Sequence, residues 1–265
     1  MNVNGNLLQM PALLIDNSRF TPTNGHSMSS VIDYVPRNGY INRNKSVESE
    51  TKKILHQRHI SQTHMNFMES VEQINQLQIE RVSSWHAQPP RCISQGLLRL
   101  IEEQHLQNYQ LWHEEDIARD PTVTNDEIAR VKRRIDVLNQ RRNDLIEQID
   151  EMILASLNAD GITINENSPM NSETPGNMID RGSIMALKIY HMEEQTRRTD
   201  VDEKHRQQSQ DKVRILRIQR EDLFACLSGL MADIRAGDRH YKLYRQFKMY
   251  NDPSLNPQIY KLNQS

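Results

Sequence analysis

The sequence predicts an all-α fold, an antiparallel bundle of four to five long helices with a disordered N-terminal tail. Apolar residues recur at steps of three and four along most of the chain, as they do on one face of a helix. Capping and breaking signals separate these stretches, and no stretch of useful length alternates as a strand does. Of the 265 residues, 36% are hydrophobic and 5% aromatic, so a lean, aliphatic core is expected.

The composition divides the chain into a tail and one domain. Residues 1–50 are rich in Asn, Ser, Gly and Pro and have no sustained period, which predicts disorder. We expect a single helical bundle domain over 51–260. It would include a long loop at 158–176 and a C-terminal segment of basic and aromatic residues at 239–250.

The first two helices are bounded by prolines. A helical pattern over 50–87 has one polar step, at Gln78, and ends before Pro89 and Pro90. Its apolar positions are Phe67, Val71, Ile74, Val82 and Trp85. The second helix is predicted from about Ile93 to Arg119, where Asp120 and Pro121 stop it.

The third helix has the clearest heptad. Thr124 and Glu127 have the spacing of a capping box. The seam that follows contains one arginine, Arg142, and is expected to fade at Ser156. Its members are Ile128, Val131, Ile135, Leu138, Arg142, Leu145, Ile149 and Met152.

The last two helices have similar signals. Thr174 and Pro175 fit an N-cap followed by Pro at the first helical position. Whether the fourth helix breaks near Thr199 is left open by the pattern. The final heptad again includes an arginine, and Gly237 is a plausible stop. Its members are Val213, Leu216, Arg220, Leu223, Leu227, Leu230 and Ile234.

The second and fourth helices have polar side chains where an apolar stripe should continue. Burial of such groups is costly unless they pair, bind metal or meet a ligand. Three interpretations stay open: ion pairs that fix helix register, a ligand or catalytic site, and a solvated face. The candidate polar site comprises His105, Asn108, Trp112, His113, Asp116, His191, Glu194 and Arg198.

Two metal hypotheses use parts of this stripe. Dimetal bundles take acid-x-x-His motifs from two helices and a carboxylate from each of two others. That spacing occurs at Glu102, His105, Asp202 and His205, with Glu72 and Glu147 as further carboxylates. A single-metal hydrolase would instead use His105, His113, Asp116 and His191.

Residues 239–250 alternate bases and aromatics, which suits phosphate clamping and base stacking. The alternative is a tail that docks its aromatic rings on the bundle. The candidate anion-binding residues are Arg142, Arg220, Arg245 and Lys248.

Charge and cysteine content exclude some classes of function. The formal charge of −2 argues against bulk nucleic-acid binding. Cys92 and Cys226 form no CxxC motif. No signal peptide and no apolar run long enough to span a membrane are apparent, so a cytoplasmic protein is expected.

Five motifs stand in a fixed order along the chain between His105 and Pro257. They are His105-x-x-Asn108-x-x-Leu111-Trp112-His113-x-Glu115-Asp116, Lys132-Arg133-Arg134-Ile135-Asp136-x-x-Asn139-Gln140-x-Arg142-Asn143-Asp144, Asn171-x-Glu173-Thr174-Pro175-Gly176, Leu187-Lys188-x-Tyr190-His191-Met192 and Phe247-Lys248-Met249-Tyr250-Asn251-Asp252-Pro253-x-x-Asn256-Pro257. Together they resemble a bacterial family of unknown function, DUF4254, over roughly 93–260. The resemblance implies a bacterial, soluble, helical protein, and it brings no established activity, cofactor or catalytic residue. Gly182 stands where a larger apolar residue, usually Leu, is expected, which should weaken local packing.

Three functional hypotheses follow. The first is a binding or accessory protein for an anionic metabolite, such as a sugar phosphate or nucleotide, or for a partner enzyme of glycan synthesis. The resemblance suggests surface-polysaccharide synthesis as its setting. The second is a metal-dependent hydrolase or oxidase. The third is a structural bundle that forms homo-oligomers through its heptads.

Overall fold

The computed structural model describes residues 67–246 and 254–257, and this part of the chain is helical. The helices are α1 (Phe67–Ala87), α2 (Gly96–Arg119), α3 (Asn125–Ala159), α4 (Pro175–Thr196) and α5 (Glu203–Ala236). Outside them, one isolated bridge joins Met170 and His240. Within the described ranges, no helix is long and apolar enough to cross a membrane. The all-α prediction is confirmed, and the predicted tail, 1–50, lies outside the described residues.

The helix ends follow the predicted capping chemistry. Thr124 accepts a hydrogen bond from the backbone N–H of Glu127 at 3.3 Å. Thr174 is the N-cap of α4, and Pro175 is the first helical residue. Gly237 ends α5 with a φ of +78°, a conformation that favours glycine. The loop before α4 spans 160–174, close to the prediction.

The stretch around Thr199 is not helical. α4 ends at Thr196, and α5 begins after its N-cap Asp202. The Asp202 carboxylate accepts the backbone N–H of His205 at 2.7 Å. The two helices are therefore separate, and the question that the sequence left open is answered.

Six of the seven predicted α5 seam residues are buried and Leu216 is half-buried, but the α3 seam takes a different course. Met152 is 38% exposed, whereas Ile153 and Leu157 are each 1% exposed. The expected fading of the seam at Ser156 is therefore wrong, because the stripe continues one residue further along. A straight helix of 3.6 residues per turn drifts away from a strict seven-residue repeat, and this drift explains the shift.

Gly182 permits close packing of α4 on α5. A Cβ atom there would lie 2.7 Å from the ring of Phe224. The backbone carbonyl of Gly182 accepts a hydrogen bond from the Arg220 guanidinium. The expectation that this glycine weakens packing is therefore wrong, since a leucine has no room at this position.

The helix neighbours determine where a site can form. α2 packs mainly on α3, and α4 packs mainly on α5. α1 lies against α2, α4 and α5, and α2 also contacts α4. The three helices α1, α2 and α4 therefore share one junction.

Candidate metal centre

The two polar stripes face each other across the α2–α4 contact. His105 is 0% exposed, and its Nε2 donates to the backbone carbonyl of Gln78 at 2.9 Å. Its Nδ1 lies 2.6 Å from the hydroxyl of Ser183, which therefore donates to it. Burial lowers the pKa of His105 from 6.5 to about 3, so the ring stays neutral.

A carboxylate sits at the centre of the same network. Asp180 accepts hydrogen bonds from the Asn108 amide at 2.9 Å and from the Arg142 Nε at 2.7 Å. It also accepts from the Gln104 amide. Because these partners lie on α2 and α3, the network fixes the register of three helices.

Several other predicted site residues also have structural partners. Glu102 accepts the backbone N–H groups of Ile93 and Ser94, both at 2.8 Å, and pairs with Arg81. Arg198 pairs with Asp200 on the surface. Three members of the dimetal set therefore already have hydrogen-bond partners. Glu102 and His105 are hydrogen-bonded inside the bundle, and Asp202 caps α5.

The predicted anion-binding arginines on the described residues are already paired. Arg142 pairs with Asp180. Arg220 is 3% exposed, donates to three polar partners and lies 4.6 Å from the centroid of the Phe224 ring. Arg245 pairs with Glu147 and Glu151, and Lys248 lies outside the described residues.

A cluster of three histidines lies at the junction of α1, α2 and α4. It consists of His86, His113 and His191, and one ring nitrogen of each lies within 4.8 Å of the other two. Among the described residues this is the one group of three or more potential ligands with that geometry. We call it the three-histidine centre.

The hydrogen bonds of the His86 and His191 rings use Nδ1 and leave Nε2 available. The Nδ1 of His86 donates to the backbone carbonyl of Val82 at 2.7 Å. The Nδ1 of His191 donates to the Glu194 carboxylate at 2.8 Å. All three Nε2 atoms are buried and lack a hydrogen-bond partner. In the neutral His86 and His191 rings, Nε2 therefore carries a lone pair.

Aromatic side chains enclose the centre. Trp112 stacks on His191 with a centroid distance of 4.6 Å, and Tyr190 stacks on His86 at 4.1 Å. Burial, followed by the neighbouring histidines, lowers the pKa of His113. A lowered pKa favours the neutral ring, which is the form that binds metal.

The structure brings together four residues of the predicted polar site and separates the others. Trp112, His113, His191 and Glu194 meet at the centre. Asp116 is exposed on the same helix as His113 and acts electrostatically on it. His105 and Asn108 belong to the buried network instead.

His86 was missed by the sequence analysis, although a signal existed. It lies in the last turn of α1, four residues after Val82 and one after Trp85, both of which are buried. A histidine beside the apolar stripe of a helix end is a weak signal by itself. His86 becomes a candidate metal ligand only because α2 and α4 bring His113 and His191 close to it.

The donor set suits one transition-metal ion. Three imidazoles with an open fourth position form a known arrangement for catalytic zinc, with Zn–N bonds of about 2.0–2.1 Å. Tetrahedral geometry then sets the nitrogens about 3.3 Å apart, so small ring rotations would close the observed separations. The Glu194–His191 hydrogen bond is the carboxylate contact that usually orients a metal-binding histidine.

The fold and the site define an all-α bundle with a half-buried three-histidine centre. The chain belongs to the family described as "Protein of unknown function (DUF4254)", whose model matches residues 98–243. The resemblance noted from the motifs is therefore confirmed. His113 and His191 lie inside the matched range, and His86 precedes it. No curated protein and no solved structure gives a significant match.

Proposed function

We propose that this chain is a metalloprotein in which His86, His113 and His191 bind one divalent transition-metal ion, with zinc as the best match. We further propose that the bound ion activates water for hydrolysis. The single observation that supports the proposal is the convergence of three histidine rings, each of which has a buried Nε2 atom without a hydrogen-bond partner.

The cost of leaving these atoms unpaired favours a bound ion. A buried polar atom without a partner costs about 1–3 kcal/mol, and each of these three rings has one. Protonation of all three rings would place like charges together in a half-buried space. One metal ion satisfies all three lone pairs at once.

The chemistry of such a centre is water activation. Zinc held by three imidazoles lowers the pKa of its bound water to about 7. Asp116 is the candidate general base, because its carboxylate influences His113 and is exposed to solvent. Glu194 would act as a positioning residue for His191.

This proposal takes precedence over the other hypotheses. The dimetal hypothesis needs a free nitrogen on His105, but both of its nitrogens have partners. The accessory-protein hypothesis relied in part on Arg142 and Arg245, whose charges Asp180, Glu147 and Glu151 balance. Homo-oligomerisation stays a prediction.

Calorimetric titration of the metal-stripped protein with zinc tests the proposal. We expect one site per chain, and we expect His86→Ala, His113→Ala and His191→Ala each to weaken it at least 100-fold. His205→Ala is the matched control, since His205 belongs to the dimetal set and lies outside the centre. Circular dichroism would verify that each variant folds.

A loss of zinc binding in His205→Ala with full binding in His191→Ala would contradict the proposed site. Hydrolysis is tested separately, with chromogenic acyl and phosphate esters added to the zinc-loaded protein. Zinc-dependent turnover that Asp116→Asn reduces at least tenfold is expected. Zinc binding without turnover would leave a metal-binding protein and overturn the hydrolytic part.

A further inference from the structure

A second region with ligand chemistry is a groove between α4 and α5. The groove has a volume of about 620 Å³ and is lined by three arginines and two glutamates. The charged members are Glu193, Arg197, Arg214, Arg217 and Glu221. The lining therefore has a net positive charge, in a chain whose formal charge is −2.

Two of these arginines stand out because they are unpaired or loosely paired. Arg197 makes no ion pair and no side-chain hydrogen bond with any residue in the described ranges. Arg214 has only a 3.8 Å contact with Asp211, and both side chains are more than half exposed. Arg217 differs, because it pairs with Glu193 at 2.7 Å. Two guanidinium groups are thus available to an incoming anion.

A smaller and more apolar cavity of about 280 Å³ adjoins the groove. The two share Glu193, Arg217 and Glu221 in their walls. The rest of the smaller cavity is lined mainly by apolar side chains from α1 and α4. These include Ile79, Val82, Ala186, Ile189 and Tyr190.

We infer that the groove and the adjoining cavity form a binding site for an organic phosphate monoester with an aromatic or aliphatic group. Arg197 and Arg214 would hold the phosphate, because a guanidinium fork matches phosphate oxygens in geometry and charge. The apolar group would occupy the adjoining cavity, against Ile189 and the ring of Tyr190.

This site is independent of the three-histidine centre in its residues. Tyr190 and Val82 connect the two regions. The Tyr190 ring lines the cavity and stacks on His86, and Val82 lines the cavity while its backbone carbonyl accepts the His86 hydrogen bond. The inference therefore stands or falls separately from the proposed metal function. The two phosphate-binding arginines, Arg197 and Arg214, were not anion-binding candidates in the sequence, whereas the candidate Arg220 lines the adjoining cavity.

The test is calorimetric titration of the full chain, metal-stripped and in chelator-free buffer, with phenyl phosphate, inorganic phosphate and phenol. Removing metal excludes phosphate bound through an ion at the three-histidine centre. We expect one saturable site for phenyl phosphate, affinity at least tenfold weaker for inorganic phosphate, and no saturation with phenol.

The double variant Arg197→Gln/Arg214→Gln should weaken phenyl phosphate binding at least tenfold. Arg133→Gln is the matched control. Arg133 is an exposed arginine on α3 and forms no ion pair with any residue in the described part of the chain. Its replacement should change the affinity for phenyl phosphate less than twofold.

Three results would overturn the inference. The first is no saturable binding of phenyl phosphate at millimolar concentration. The second is equal affinity for phenyl phosphate and inorganic phosphate, which would remove the apolar part of the site. The third is an equal effect of the double variant and Arg133→Gln, which would indicate non-specific charge attraction.

Discussion

The polar side chains of α2 and α4 divide into two groups according to their hydrogen bonds. His105 and Asp180 have partners at their buried polar atoms, so they belong to the frame of the bundle. His113 and His191 each leave Nε2 without one. This difference, and not burial itself, separates a structural network from a candidate site.

Glu194 gives a direct test of that distinction. The Glu194 carboxylate orients His191 and makes its Nε2 more basic, and replacement by Gln removes that negative charge. Loss of such a contact typically weakens metal affinity about 10–100-fold. Competition titration with a zinc indicator would measure the change. Glu203→Gln, at the exposed start of α5, should bind zinc as the wild type does, and equal affinity in both variants would contradict the role of Glu194.

His105 makes the bundle sensitive to acid. Its pKa falls from 6.5 to about 3 on folding, so below pH 6.5 the unfolded chain binds a proton that the folded chain excludes. Stability from this group is therefore present above pH 6.5 and is lost as the pH falls. Between pH 7 and pH 5 we expect this group to lower the unfolding free energy by about 2 kcal/mol, and urea unfolding at the two pH values would measure the change.

The variant His105→Gln should have a weaker pH dependence of the unfolding free energy over that range. Ser183→Ala is the control, because it removes a partner of the ring and keeps the titrating group. An unchanged pH dependence in His105→Gln would contradict this account.

Several of the predicted site residues have partners far along the chain. Arg142 and Asp180 are 38 positions apart, so nothing local shows that the arginine is already neutralised. His86 joins His113 and His191 only because α1 packs against α2 and α4. Such convergence is tertiary, and helical periodicity on one element does not reveal it.

At the scale of the helices, local chemistry predicted most of the structure. Caps at Thr124, Thr174 and Gly237 act through backbone groups within a few residues, so the sequence alone contains the necessary information. The seam of α3 was predicted less well. A heptad and a 3.6-residue stripe coincide for only a few turns, and they diverge between Met152 and Leu157.

The α4–α5 contact yields a matched pair of glycine variants. Gly182→Ala adds a Cβ atom 2.7 Å from the Phe224 ring and should lower the unfolding free energy by about 1–3 kcal/mol. Gly229→Ala in α5 meets nothing within 4 Å. It should raise stability by about 0.5–1 kcal/mol, because alanine is the better helix former.

Urea unfolding of both variants measures the difference. A stabilised Gly182→Ala variant would show that α4 and α5 do not approach as closely as described. A destabilised Gly229→Ala variant would contradict the open surroundings of that position.

At the scale of the whole molecule, a metal at the three-histidine centre would tie three helices together. An ion that binds only the folded chain stabilises it by about 2.7 kcal/mol at a concentration 100 times its Kd. Zinc should therefore raise the melting temperature of the wild type and leave that of His113→Ala unchanged. An equal rise in both proteins would point to zinc bound elsewhere.

The most direct test of the central claim is the metal content of the protein, purified without an affinity tag and dialysed exhaustively. We predict close to one zinc, or another divalent transition metal, per chain in the wild type and in His205→Ala. We predict almost none in His86→Ala and His191→Ala. A wild-type protein without metal that also fails to take up added zinc would contradict the claim, and the three histidines would then be part of the aromatic packing between α1, α2 and α4.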